Sequence, residues 1–268
     1  LSNGNVVITD RYDDLLATNS GAVYLFNGVT GALISTLTGS KANDMVGNDG
    51  VAELSNGNFV ILSGDWGIAG ITQAGAVTWA DGITGISGIV SSANSIVGSH
   101  KGDEIGGWGI WTLDNGNYII RGTRWNSNRG AATWGNGLGG TVGIVSSANS
   151  IVGSKANDYV GDHVTVLEND NYVVISPLWD NQATLNVGAV TWGNGATGTS
   201  GVVSSSNSLI GSTTNDYVGG DKWGNTQVVA LDNGNYYVGS TAWNNGATVD
   251  AGALTWGNGV TGTSGVVS

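Results

Sequence analysis

Short apolar runs separated by Gly, Asn and Asp recur along the whole chain. Between residues 164 and 210 they read Val164–Leu167 (VTVL), Tyr172–Ser176 (YVVIS), Gly188–Trp192 (GAVTW) and Gly201–Ser204 (GVVS), with Ser208–Ile210 extending the last. Their shortness, β-branched content and turn-forming boundaries predict strands, since a helix needs a longer run at a 3.6-residue period. Asn-Gly pairs at Asn56-Gly57, Asn115-Gly116 and Asn233-Gly234 lie between the first two strands of a set, and Asn194-Gly195 and Asn258-Gly259 follow the third. That dipeptide favours type I′ hairpins, so both connections are expected to be tight.

The pattern repeats. Leu-x-Asn-Gly-Asn, or a close variant, starts at Leu1, Leu54, Leu113, Leu167 and Leu231, and Gly-Ala-Val or its variants start at Gly21, Gly75, Gly130, Gly188 and Gly252. Two markers with one period of roughly 54 residues define five repeats, near 1–53, 54–112, 113–166, 167–230 and 231–268, in a single repeat domain. Four short strands per repeat predict an all-β fold, a β-propeller of about five four-stranded blades. A β-solenoid or an open repeat array is the architectural alternative. By the same ruler the Gly-Ser closing the fifth repeat would fall near position 275, past Ser268, so that repeat is expected to be incomplete. Unpaired edge strands would then offer a route to self-association.

The longer connections carry the candidate chemistry. An aromatic ends each second strand, at Tyr12, Trp66, Trp125, Trp179 and Trp243, and the connection into the next repeat carries Asp44, Asp103, Asp158 and Asp216 in Gly-Ser-x-x-Asn-Asp or a related motif. In a propeller these two loop sets share one rim. Aromatic rings beside Asn, Asp and Gly suit a sugar, the ring stacking and the polar groups bonding hydroxyls; the same tryptophans also suit packing between sheets. The recurring aspartates equally suit Asx turns that fix the loops. The third-strand tryptophans Trp79, Trp134, Trp192 and Trp256 are expected to pack between sheets, while Trp108, Trp111 and Trp223 sit in single-repeat insertions that can shape a specific surface.

The stretch GAVYLFNGVTGALISTLTGSKANDMVGNDGVAELSNGNFVILSGDWG, Gly21 to Gly67, resembles the FG-GAP repeat of integrin α-chain propellers. The later copies of GAVTWGNG are similar to tandem repeats of large bacterial haemagglutinin-like or adhesin-like surface proteins. The resemblance implies a propeller and an adhesive role on an exported bacterial surface protein, extracellular or at the cell surface. FG-GAP blades commonly hold calcium between their first two strands, but here that hairpin offers only single carboxylates such as Asp114 or Asp232. Calcium needs six to eight oxygens, so those sites are not carried over and no cofactor is expected; a weak cation site at the rim is the remaining alternative.

Composition narrows the function classes. A net charge of −12 with eight Lys and Arg in all disfavours nucleic acid, whose phosphates need clustered cations. No apolar run is long enough to cross a membrane as a helix. Without Cys there is neither disulfide nor thiolate site. His100 and His163 belong to no recurring constellation with Ser and Asp, and Asp13-Asp14 and Asp103-Glu104 each occur once, so an enzyme is not expected. The expected function is a non-catalytic binding or adhesion module recognising glycan or protein on the aromatic loop face. The alternative is a structural spacer or self-assembling lattice repeat.

Overall fold

The computed structural model describes residues 1–268 and is all-β. The first repeat forms β1 (Val6–Asp10), β2 (Ala22–Phe26) and β3 (Leu33–Thr38). The second forms β4 (Val51–Glu53), β5 (Phe59–Ser63), β6 (Ala76–Ala80), β7 (Gly88–Ile89) and β8 (Ile96–Val97). The third forms β9 (Ile110–Thr112), β10 (Tyr118–Arg121), β11 (Ala131–Gly135), β12 (Gly143–Ile144) and β13 (Ser150–Val152). The fourth forms β14 (His163–Val166), β15 (Tyr172–Ser176), β16 (Ala189–Gly193), β17 (Gly201–Val202) and β18 (Ser208–Ile210). The fifth forms β19 (Val228–Ala230), β20 (Tyr236–Ser240), β21 (Ala253–Gly257) and β22 (Gly265–Val266). Each repeat builds its own sheet of three to five strands, and no sheet closes into a barrel.

The chain divides into two compact units, residues 1–125 with 134–145, and residues 126–133 with 146–268. In the first unit the sheets run β1-β2-β3-β7 and β12-β8-β6-β5-β4, beside the β9–β10 hairpin. In the second, β11 pairs with β13 and β13 with β17, and two further sheets run β14-β15-β16-β18-β22 and β19-β20-β21.

One expectation about the strands is corrected. Gly201–Ser204 does not complete the sheet of its own repeat; β17 crosses back and lies parallel to β13 of the preceding repeat. The same crossing puts β7 on β3, β12 on β8 and β22 on β18. The fourth strand proper is the Ser-Ile-Val or Ser-Leu-Ile run, with Thr191 opposite Ser208, Val190 opposite Leu209 and Ala189 opposite Ile210. Burial explains the crossing: Val202 faces solvent, while Val203 is buried and donates its N–H to Val152 O at 3.0 Å. Asn207 then turns the chain back, accepting from Ser204 N at 2.9 Å and donating to Val202 O at 2.9 Å. The third-to-fourth connection is therefore long, not tight. Where it returns, buried hydroxyl pairs join the strands, Thr78 with Ser95, Thr133 with Ser150 and Thr191 with Ser208, each at 2.7 Å.

The first hairpins differ from expectation in type. Gly57 N donates to Leu54 O at 2.9 Å and Leu54 N to Asn58 O at 2.7 Å, with Gly57 at φ 82° and Asn56 outside the positive-φ region. That is a type I turn followed by a left-handed bulge residue, not a type I′ turn. Asp170 takes the glycine's place in the fourth repeat at φ 64°, which is why the variant Leu-Glu-Asn-Asp-Asn still turns.

Within each unit the core lies between neighbouring sheets. Trp66 packs with Val23, Leu25 and Leu37 of the first repeat as well as Phe59 and Ile61 of its own. Trp243 packs in the same way with Val190 and Leu209 of the fourth repeat and with Tyr236 and Val238 of the fifth.

Candidate functional site

The recurring rim begins with the Gly-Ser loop that leaves each fourth strand. Asp158 Oδ2 accepts the N–H groups of Ser154 and Lys155, both at 2.7 Å, and the Ser154 hydroxyl at 3.2 Å, closing the loop on itself. Its Oδ1 accepts Asp180 N at 3.1 Å, the residue that follows Trp179 in the next repeat. Asp44 does the same with Ser40 N, Lys41 N and Gly67 N, and Asp216 with Ser212 N, Thr213 N and Asn244 N. Asp103 accepts Ser99 N and His100 N, both at 2.8 Å. All four carboxylates are buried. At Asp44, Asp158 and Asp216 the aspartate and aromatic loops do meet, and the carboxylate is the clamp between them. Burial pushes the Asp158 carboxyl above its usual range, against the pull of the donors from Lys155, Asp180 and Ser154.

The aromatics are not an open rim. Trp66 and Trp179 are 3% exposed and Trp125 and Trp243 8%, and the Trp66 and Trp243 indoles fill the gap between neighbouring sheets. Their Nε1–H donors have no partner. A ring so placed has no face to offer a sugar, and only Tyr12 of the expected set presents its ring, with the Arg11 guanidinium 4.7 Å above it.

Above the clamps lie open clefts at equivalent positions in the two units. One of about 370 Å³ is bounded by Lys41, Asn43, Asp65 and Gln73 and carries no aromatic. The other, about 400 Å³, is lined by Asn215, Tyr217, Asp221, Lys222, Trp223, Thr241, Ala242 and Asp250. Both fall in the size range of small-molecule sites. In the second, the Trp223 indole is 75% exposed, with Lys222 Nζ 4.4 Å from the ring centroid. Asp221 fixes its loop by accepting Trp223 N at 2.9 Å and Asn225 N at 3.0 Å, and Asn225 Nδ2 donates to its other oxygen at 2.9 Å. Asn225 chiefly holds that carboxyl below the usual range. Tyr217 OH donates to Asn215 Oδ1 at 3.1 Å. Trp223 was legible only as a single-repeat insertion, and exposure, not recurrence, marks it out.

The other candidates form no constellation. Ser99 Oγ lies 3.0 Å and Asp103 Oδ2 3.5 Å from the same His100 nitrogen, Nδ1, whereas a nucleophile–base–acid relay uses the two ring nitrogens separately. His163 Nδ1 lies 3.3 Å from Asp162. Asp13 accepts Tyr24 OH at 2.6 Å, which with burial and neighbouring charge pushes that phenol up to about 12, and Glu104 pairs with Arg124 at 2.6 Å. No three His, Asp or Glu side chains are grouped to hold a metal, and no helix is long and apolar enough to cross a membrane.

At the turns of the Leu-x-Asn-Gly-Asn motif a second clamp joins repeats. Asn56 and Asn58 both donate to Gly137 O, at 2.8 and 2.9 Å, and Trp79 Nε1 adds a third donor at 2.9 Å. Asn169, Asn171 and Trp192 treat Gly259 O identically, at 3.0, 2.8 and 3.0 Å. The motif that marks the period is thus also the joint.

Crossing strands, buried aspartate clamps and asparagine clamps define an all-β tandem-repeat protein whose neighbouring repeats are knitted together within each unit. The chain belongs to the family described as "Repeat of unknown function (DUF5650)", whose model matches residues 1–48, 53–107, 112–162, 166–220 and 230–268. No curated protein matches it. Among solved structures, one titled "Crystal structure of the eukaryotic initiation factor" is similar over 92% of this chain at 13% identity and a TM-score of 0.39. The chain spans 50% of that chain's length, and a likeness so distant carries no argument.

Proposed function

We propose that the chain is a non-catalytic binding module of an exported bacterial surface protein, with an adhesive role, that takes a glycan in the cleft at Trp223. The observation that carries this reading is the 75% exposed indole standing over a cleft lined by Asn215, Tyr217, Asp221, Thr241 and Asp250. An exposed aromatic face with amide, hydroxyl and carboxylate groups beside it suits a pyranose, whose C–H face stacks while its hydroxyls hydrogen-bond. In this reading Asp44, Asp103, Asp158 and Asp216 hold the loops from beneath and do not touch ligand. The finer architecture belongs to the same proposal: in a propeller, of FG-GAP type by the resemblance of Gly21 to Gly67, the antiparallel four-strand orders β4-β5-β6-β8 and β14-β15-β16-β18 would be the blades.

The test is a glycan array followed by titration of tryptophan fluorescence. Trp223→Ala is expected to weaken binding about tenfold or more, the value of roughly 1.4 kcal/mol or more of stacking, with an unchanged melting temperature. No response across broad panels, or equal binding by the variant, removes the reading. A purely structural repeat is the second reading, favoured by the burial of Trp66, Trp125, Trp179 and Trp243.

A further inference from the structure

One position in the Gly-Ser loop keeps a strained backbone in four repeats while its side chain varies. Met45, Glu104, Tyr159 and Tyr217 directly follow the clamp aspartates and sit in the left-handed region, at φ 45°, 48°, 49° and 48°. Their N–H groups donate to the second-to-third loop of the same repeat, at Asn19 O, Gln73 O, Asn128 O and Asn186 O, over 3.1, 3.0, 2.9 and 3.1 Å. The valine or isoleucine that follows is buried in every case. The backbone is thus fixed on both sides. Glycine takes this conformation without strain, and Met, Glu and Tyr do not. A joint that needed only the turn would carry glycine, so the side chain is kept for something outside the joint.

A second observation is where these side chains lie. Glu104 is taken up by Arg124, whereas Met45 and Tyr217 line the two open clefts. The Met45 cleft, about 370 Å³, has apolar walls in Ala42, Met45 and Ile71 and is also lined by Lys41 and Asp65. Each of these charges is held by neutral groups. Lys41 Nζ donates to Gly67 O at 3.0 Å and stands 6.0 Å from the Trp66 ring centroid. Asp65 accepts Asn48 Nδ2 at 2.9 Å on one oxygen and Gln73 Nε2 at 3.1 Å on the other. The third-to-fourth joint gives the contrast: Lys155, the counterpart of Lys41, lies 4.0 Å from Asp180 Oδ2. Gly67 occupies the place of that aspartate in the first cleft, so Lys41 has a carbonyl where Lys155 has a carboxylate.

We infer that the Met45 cleft is a second binding site, separate from the cleft at Trp223, for a small zwitterion with an apolar body, of which an apolar α-amino acid is the simplest member. The ligand's ammonium meets Asp65, its carboxylate meets Lys41, and its side chain lies on Met45 and Ile71. Both ligand charges gain charge-assisted hydrogen bonds without having to break an ion pair of the protein. The thioether of Met45 adapts to aliphatic groups of differing shape. A neutral sugar offers neither charge, so the two clefts differ in what they take. The residue after the clamp aspartate is the selector, methionine in this cleft and tyrosine in the other. The inference does not rest on the glycan reading, and a silent glycan array leaves it standing.

The experiment is calorimetry with thermal denaturation of the full chain, using leucine, N-acetyl-leucine and leucinamide as probes. Leucine is expected to bind one-to-one and to raise the melting temperature. N-acetyl-leucine lacks the ammonium and leucinamide the carboxylate, and each should bind at least about tenfold more weakly, the loss of one hydrogen bond between charged groups. Asp65→Asn should abolish the preference for leucine over N-acetyl-leucine, and Lys41→Met the preference over leucinamide. Met45→Gly separates a selector from a packing residue. It should weaken leucine by about fivefold, roughly the value of one buried methylene. Its melting temperature without ligand should stay level or rise, because glycine relieves the left-handed backbone. Absence of binding up to the solubility of leucine, equal binding of the three probes, or a lower melting temperature in Met45→Gly with leucine binding unchanged overturns the inference.

Discussion

Gly188→Ala is expected to lower stability by about 4 kcal/mol, and the matching change Gly252→Ala by only about 1 kcal/mol. The two glycines open the same motif, and their backbones are nearly identical, at φ 76° and 72°. The penalty for placing an L-residue in the left-handed region, about 1–2 kcal/mol, is therefore common to both. What differs is the neighbour. A Cβ at Gly188 would run into the backbone of Tyr217 and Val218, with Val218 N already committed to Val187 O at 3.1 Å. Backbone cannot rotate aside as a side chain does, so the Gly-Ser loop must lift, taking the Asp216 clamp with it. At Gly252 the closest non-neighbouring atom is 3.7 Å away, an ordinary contact. Urea denaturation of the two variants beside the parent chain measures the difference. Equal losses would mean that the loop is not seated on Gly188.

The contrast between those glycines indicates what could be read from the amino acids alone. Repetition and strand content were legible because they are local: Tyr172–Ser176 is a β-branched run bounded by turn residues whatever surrounds it. The assignment of Gly201–Ser204 failed because GVVS and SLI look alike as short apolar runs, and only burial of Val203 against the preceding repeat decides which sheet each joins. Asn56-Gly57 fits a type I′ turn and a type I turn with a left-handed bulge equally well by composition. The difference lies in whether Asn56 itself must take positive φ. Pairing of the aspartate and tryptophan loops followed from topology, but their exposure did not. Trp66 and Trp223 are both loop tryptophans beside Asp and Gly, one 3% and the other 75% exposed. Recurrence favoured the first as a ligand platform, yet recurrence in a repeat chiefly records what every joint needs. The side chain outside the repeat pattern is free to serve a ligand.

Asp158→Ala is expected to cost about 3 kcal/mol and to carry a signature in pH. The carboxylate accepts four hydrogen bonds inside the fold, three from backbone N–H groups and one from the Ser154 hydroxyl. Its removal leaves buried donors without a partner, at about 1–3 kcal/mol each when water cannot reach them. Asp158→Asn is the sharper variant, because an amide replaces one acceptor oxygen by a donor facing N–H groups. It should recover little of the loss despite equal volume. The pH dependence follows from the raised carboxyl. A folded-state pKa above the unfolded value, about 3.9, means that the folded chain binds the extra proton, so this group's contribution is fully present below that value. It is lost as pH rises through the folded value. The stability gap between the parent and Asp158→Asn should therefore narrow as pH is raised across that window, the asparagine variant lacking this titration. Denaturation curves for both chains at a series of pH values between about 3 and 7 test this. A gap that widens with pH would mean that the N–H donors, not burial, dominate at Asp158, reversing the balance between desolvation and hydrogen bonding assigned to the clamp.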